Sequence, residues 1–264
     1  VINELPDLQA RIQVSLFNIL QEGDIQIRGF KLRLPLDLQF VFTANPEDYT
    51  NRGSIVTPLK DRIGSQILTH YPEDIETARK ITEQESKLDK RQTDVIYVPD
   101  LAKDLLEQIS REARESEYVD AKSGISARMS ITSFENLMST AERRVLKNGQ
   151  ETTMIRLSDF MGVIPSIIGK IELVYEGEQE GSGSVAEILI EDAVKSLFLN
   201  YFPKIDKLER KDAEGPYDEL VSWFFDGEGF DLLDDATDKE YKEKLDSINP
   251  LQQLVVKYQP DVKK

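Results

Sequence analysis

Leu8, Ile12, Leu16, Ile19 and Leu20 recur at helical spacing behind Pro6, and Gly23 follows them. Residues 5–22 are therefore predicted to form an amphipathic helix, with proline in its first turn and glycine at its stop. The period then changes. Asp24–Arg28 and Lys31–Leu34 alternate apolar and polar positions around Gly29, which predicts a short hairpin with Phe30 at its tip, its ring packed on its own sheet. Leu38–Ala44 reads LQFVFTA, a continuous apolar run of strand length, and predicts a strand covered on both faces that ends at Asn45-Pro46. A polar loop through Arg52-Gly53-Ser54 leads to Pro58-Leu59-Lys60-Asp61-Arg62, and a second short strand is expected at Gln66–Thr69. Helix, hairpin, buried strand and loop in this order suit the later half of an α/β sheet.

From Pro72 onward the spacing is helical. Pro72–Leu88, Pro99–Glu117, Ser130–Lys147 and Ser158–Tyr175 read as helices of an all-α domain, and Val185–Phe202 and Tyr217–Phe225 as two more. Between them Glu176–Ser184 reads EGEQEGSGS, without an apolar residue, and is expected to be a linker. The expected organisation is an α/β part over residues 1–72, an all-α part over 73–175, a linker over 176–184 and a helical extension over 185–264. Trp223, Phe224 and Phe225 are expected in a core, and Arg143 and Arg144 as solvated charges on a helix face.

Charge narrows the partners. The formal net charge is -16, which opposes a nucleic-acid backbone or an anionic membrane as partner, because tracking phosphates takes clustered Lys and Arg. Cysteine is absent, so disulfides, thiolate catalysis and Cys-ligated metals are excluded, and a cytoplasmic setting is expected. His70 is the single histidine; it is expected to be structural, and it cannot build a histidine metal cluster alone. No apolar run approaches the roughly 20 residues that span a bilayer.

Four pieces of the first 62 residues carry a resemblance: Ile2-Asn3-Glu4, the run Gln13–Glu22 (QVSLFNILQE), Thr43-Ala44-Asn45-Pro46-Glu47 and Leu59-Lys60-Asp61-Arg62. In this order and spacing they resemble the AAA+ ATPases of the magnesium-chelatase ATPase subunit and MoxR-like group. The resemblance is clear over residues 2–72, weak to about 175 and faint beyond. It implies the C-terminal portion of a P-loop AAA+ core, a helical lid and a helical C-terminal extension. It also implies ATP and Mg²⁺ as cofactors and a homo-oligomeric ring, expected as a hexamer, acting on a client protein or in metal insertion.

The resemblance assigns roles by position. Glu4 matches the carboxylate that polarises the attacking water, and the eighteen positions from Glu4 to Glu22 fit the family spacing. Asn3 stands where the family has the aspartate that holds magnesium, and an amide lacks that negative charge. Asn45 matches the polar residue that meets the γ-phosphate and the water; an amide can donate to one and accept from the other. Arg62 matches the arginine finger that reaches a neighbouring subunit's nucleotide. Asp61 would orient it, and Arg52 is a weaker candidate at the same interface. Ser123–Arg128 precedes a helix, and Arg128 matches the lid arginine that touches the nucleotide of its own subunit. On the family pattern the hairpin can engage a client.

Gly-x-x-x-x-Gly-Lys-Ser/Thr occurs nowhere in the chain. The sequence starts at Val1, so it is expected to be a downstream piece whose phosphate loop lies upstream, inactive by itself. The alternative, suggested by Asn3, is a module that binds nucleotide without hydrolysing it and serves as a scaffold. A transcription activator of the enhancer-binding type would need a Gly-Ala-Phe-Thr-Gly-Ala loop, which the hairpin lacks.

Overall fold

The computed structural model describes residues 1–33, 37–45, 54–121, 123–204, 215–227 and 230–260. They divide into two units, Val1–His70 and Tyr71–Lys264.

In the first unit the apolar stripe is helical only from Ala10. Leu5–Asp7 forms one 3₁₀ turn with Pro6 in it, and Leu8 and Gln9 are extended, at ψ 133 and 141. Helical hydrogen bonding restarts in α1, Ala10–Glu22, which stops at Gly23 with φ 66 and its N–H on the Ile19 carbonyl. The stripe is half-buried at best, and the buried residue of α1 is Gln13. The hairpin forms as expected: β1, Asp24–Ile27, pairs antiparallel with β2, Phe30–Arg33. Arg28 at φ 52 and Gly29 at φ 85 make its two-residue turn. Positive φ at both positions gives the twist that a tight hairpin needs. The Phe30 ring does not pack on its sheet; the residue is 79% exposed.

The apolar run 38–44 differs from expectation. It runs parallel to residues 2–5: Ile2 N–H donates to the Val41 carbonyl (2.8 Å), Thr43 N–H to Ile2 (3.0 Å) and Leu5 N–H to Thr43 (2.9 Å). Only Ile2 and Phe42 form a bridge. Leu38 and Val41 stay about half exposed while Phe40 and Phe42 are half-buried, and among the described residues the run is paired along one edge. Residues 66–69 form no strand, and Ile67 and Leu68 are exposed. His70, expected to be structural, is exposed as well.

The second unit is helical. Its helices are α3 (Ile75–Glu85), α4 (Lys90–Val95), α5 (Asp100–Glu115) and α6 (Arg128–Asn148), then α7 (Ile164–Ile168), α8 (Tyr175–Glu180) and α9 (Ser182–Tyr201). Before them, in the first unit, α2 spans Thr57–Lys60; after them come α10 (Asp218–Asp226), α11 (Asp238–Asp246) and α12 (Asn249–Tyr258). Two-residue strands β3 (Ile96–Tyr97) and β4 (Thr153–Met154) pair in parallel. Leu105, Leu106 and Ile109 of α5, Met129, Leu137 and Met138 of α6, and Val185, Leu189 and Ala193 of α9 form one core.

Three expectations are corrected here. Ser158–Tyr175 is not one helix: a 3₁₀ turn over Leu157–Val163 leads into α7, and Pro165 and Gly169 stop regular helix from running on. Residues 176–184 are not a linker but α8 and the first turn of α9. A Cβ on Gly177 would lie 2.3 Å from the Tyr118 carbonyl oxygen, so glycine there serves close packing rather than freedom. Val185 to Leu197 consequently belongs to the same core as α5 and α6. Third, Arg144 is not a solvated charge. It is buried, ion-paired with Asp159, and donates to Thr153 Oγ1 (3.0 Å) and the Met154 carbonyl (2.7 Å).

Arg156, also buried, pairs with Asp238 and lies 4.2 Å over the Tyr241 ring, tying α11 to this network. The aromatics of α10 are not core. Trp223 is half-buried and packs edge-on to Phe224 and Phe230, while Phe225 is exposed, because α10 buries no residue. No helix among the described residues is long and apolar enough to cross a membrane.

Candidate functional site

The parallel run of residues 2–5 beside 41–43 brings Glu4 and Asn45 to the same end of adjacent segments. The C-terminal end of parallel strands is where open α/β sheets bind ligands. Thr43 joins the two segments. Its hydroxyl accepts from the Glu4 N–H (3.0 Å) and donates to Asn3 Oδ1 (3.4 Å). Thr43 opens the resembling segment Thr43–Glu47, but its part in joining the two strands of chain is set by folding and has no mark in the sequence.

Glu4 has φ 50 and ψ 57, the left-handed region that residues with a Cβ avoid. Arg28, in the hairpin turn, is the other non-glycine with positive φ among the described residues. The Thr43 contact and the 3₁₀ turn behind Pro6 hold Glu4 there, with its carboxylate exposed. Asn3 and Asn45 are exposed too.

Arg62 directly follows Asp61 at the end of α2. Its Nη1 lies 2.5 Å from Asp61 Oδ2, and its guanidinium stands 5.7 Å over the Phe17 ring of α1. The arginine is 43% exposed by side chain and the aspartate 71%, so the pair is presented at the surface. Its base is rigid for two reasons. Leu59 is fully buried. Gln13 accepts the Val56 N–H (2.8 Å) and donates to the carbonyls of Leu8 (2.9 Å) and Ser54 (3.3 Å), so α1 grips the loop on the α2 side. In the sequence Gln13 is one letter of a resembling segment; its burial follows from long-range folding. Arg52 lies outside the described residues.

Arg128 belongs to the other unit. It is the first residue of α6, is exposed, and its N–H donates to Ser126 Oγ (3.2 Å). The lead-in is pinned from one side: Ile125 N–H donates to the Tyr71 hydroxyl (3.0 Å), and the Arg114 guanidinium lies 4.0 Å over the Tyr71 ring. Burial lowers the Arg114 pKa. The N-terminus of a long helix adds partial positive charge beside Arg128.

Two open clefts of about 740 and 920 Å³ lie in the second unit, and neither is lined by Glu4, Asn45, Arg62 or Arg128. Compared with known proteins, the chain matches no family model and no curated sequence.

Proposed function

We propose that this chain carries the water-activating and sensing residues of an AAA+ ATPase whose phosphate cradle is not among these 264 residues. The observation that supports it best is the parallel pairing of residues 2–5 with 41–43, which brings Glu4 and Asn45 to the same end of two adjacent segments.

On this reading Glu4 accepts the proton of the attacking water and Asn45 holds that water against the γ-phosphate. Arg62 neutralises charge developing on the phosphate of a neighbouring copy. A permanently charged planar fork suits this task, and its surface exposure leaves it free to reach across. Arg128 senses the nucleotide bound to its own copy and passes its state to the helical unit. Among the described residues no group of three or more metal-ligating side chains converges. Magnesium in such enzymes takes one or two carboxylates, waters and substrate phosphates; Asn3, at the magnesium position, offers an uncharged amide oxygen, so the ion would rest chiefly on waters and the phosphates. The ion supplies charge neutralisation at the phosphates. The exposed hairpin, with Phe30 directly after its turn, is the surface offered to a client.

The test is phosphate release from ATP by the longer protein that contains this chain together with a phosphate loop. Glu4→Gln is expected to cut turnover by about 10²–10⁴-fold while nucleotide binding persists. Turnover equal to wild type in Glu4→Gln, with binding intact, would refute the assignment.

A further inference from the structure

Glu107 is a buried carboxylate that the reading above does not use, and its surroundings are unusual. It is 4% exposed in the middle of α5, and among the described residues no cation bonds to it. Its partners are hydroxyls on two other helices. Thr82 Oγ1 of α3 donates to Oε1 at 2.6 Å, and Ser130 Oγ in the first turn of α6 donates to Oε2 at 2.9 Å. Ser110 Oγ, one turn further along α5, lies 2.6 Å from Ser130 Oγ. Thr82, Ser110 and Ser130 are all buried. A single carboxyl thus ties three helices, and it does so beside the turn that begins with Arg128.

The proton inventory of this cluster has two solutions. With Glu107 ionised, Ser130 must donate to the carboxylate, so Ser110 donates to Ser130. With Glu107 protonated, its own O–H is a donor, and the chain can reverse, carboxyl to Ser130 to Ser110. The ionised form keeps a charge in an apolar core, compensated by neutral hydroxyl dipoles and no bonded cation; the protonated form removes that charge. Arg114 on α5 is the charged group whose field reaches Glu107, and it favours ionisation. Arg114 is in turn turned toward the Tyr71 ring and opposed by Arg111. On α3, Arg79 is held by Asp100 and Asp104, and Glu83 by Lys103. On α6, Arg128 is exposed and Glu135 accepts the Lys87 N–H.

We propose that Glu107 is a proton-controlled latch on the first turn of α6: protonated it holds α3, α5 and α6 together, and ionised it loosens that junction. It is a positioning residue, and the consequence for Arg128 rests on the nucleotide reading, whereas the latch does not. Desolvation raises the Glu107 pKa above the ordinary carboxylate range, and this outweighs the hydroxyl bonds and Arg114. The sign follows. A carboxyl with a raised folded pKa favours the fold fully below its unfolded titration, and that contribution fades as pH rises through the folded one.

The experiment is done on the 264-residue chain without nucleotide, so its outcome is independent of whether the protein is an ATPase. Carboxyl carbon resonances are followed with pH, and amide hydrogen exchange is measured at Met129–Ser133, corrected for intrinsic rates. Glu107 is expected to titrate above the usual glutamate range, and exchange in that turn to speed several-fold in step with it. Glu107→Gln, neutral at every pH, is expected to show a flat corrected profile, and Ser130→Ala to uncouple the turn from the titration. An ordinary or lowered midpoint, or exchange that ignores it, overturns the latch. Both wild-type readouts stand even if Glu107→Gln fails to fold.

Discussion

Glu4 is held in a backbone conformation that disfavours every residue except glycine, with asparagine and aspartate the least reluctant. Strain of this kind persists only where its surroundings impose it, and it gathers at sites of function. Glu4→Gly should therefore separate two properties. Urea denaturation is expected to find the variant more stable by about 1 kcal/mol, the left-handed penalty relieved, while turnover in the phosphate-loop-containing protein falls as for Glu4→Gln. A surface carboxylate with no task would give the first effect without the second. Gln13 is the complementary case, a polar residue whose job is internal. Gln13→Ala removes the partner of the Val56 N–H and of two carbonyls, so a loss of about 1–3 kcal/mol is expected in urea. A loss under a few tenths would mean that the loop before α2 is not held by Gln13.

At the scale of elements, the existence of the hairpin was legible because its determinants are local: alternating polarity and a glycine where the turn needs positive φ; its strand ends and the exposure of Phe30 were not. The helix stop at Gly23 and the extents of α5 and α6 were legible for the same reason. What failed was whatever depends on distant partners. The run 38–44 is apolar enough for a doubly covered strand, yet coverage comes from other elements, and here one edge is paired. The glycines of 176–184 looked like linker composition, while Gly177 is small because the Tyr118 carbonyl approaches it. Arg144 occupies a helix face that becomes interior only when β4 and the turn carrying Asp159 close over it. In the candidate site the motif residues were readable; that Thr43 and Gln13, letters of the same segments, hold the others in place was not. The hairpin also gives a clean test. Phe30 is 79% exposed, so Phe30→Ala is expected to leave thermal stability within about 0.5 kcal/mol. If the hairpin engages a client, the same change weakens client-stimulated ATP turnover. A clear fall in melting temperature would instead show that Phe30 serves the fold.

For the whole molecule the question is whether copies act on one another. A surface Asp61-Arg62 pair contributes little to stability by itself, and the task proposed for Arg62 is at a neighbouring copy's nucleotide. On the proposed reading, each active interface of a head-to-tail ring would take Glu4 from one copy and Arg62 from the next. The most direct measurement is therefore ATP turnover by mixed rings of the phosphate-loop-containing protein, combining Glu4→Gln subunits with Arg62→Ala subunits. Each variant alone is expected to be inactive. In an equal mixture roughly a quarter of interfaces regain an intact Glu4 facing an intact Arg62, and turnover is expected to return toward that share of wild type. A mixture as inactive as its parts, although the subunits demonstrably co-assemble, would contradict the claim that Glu4 and Arg62 act on one nucleotide from two copies.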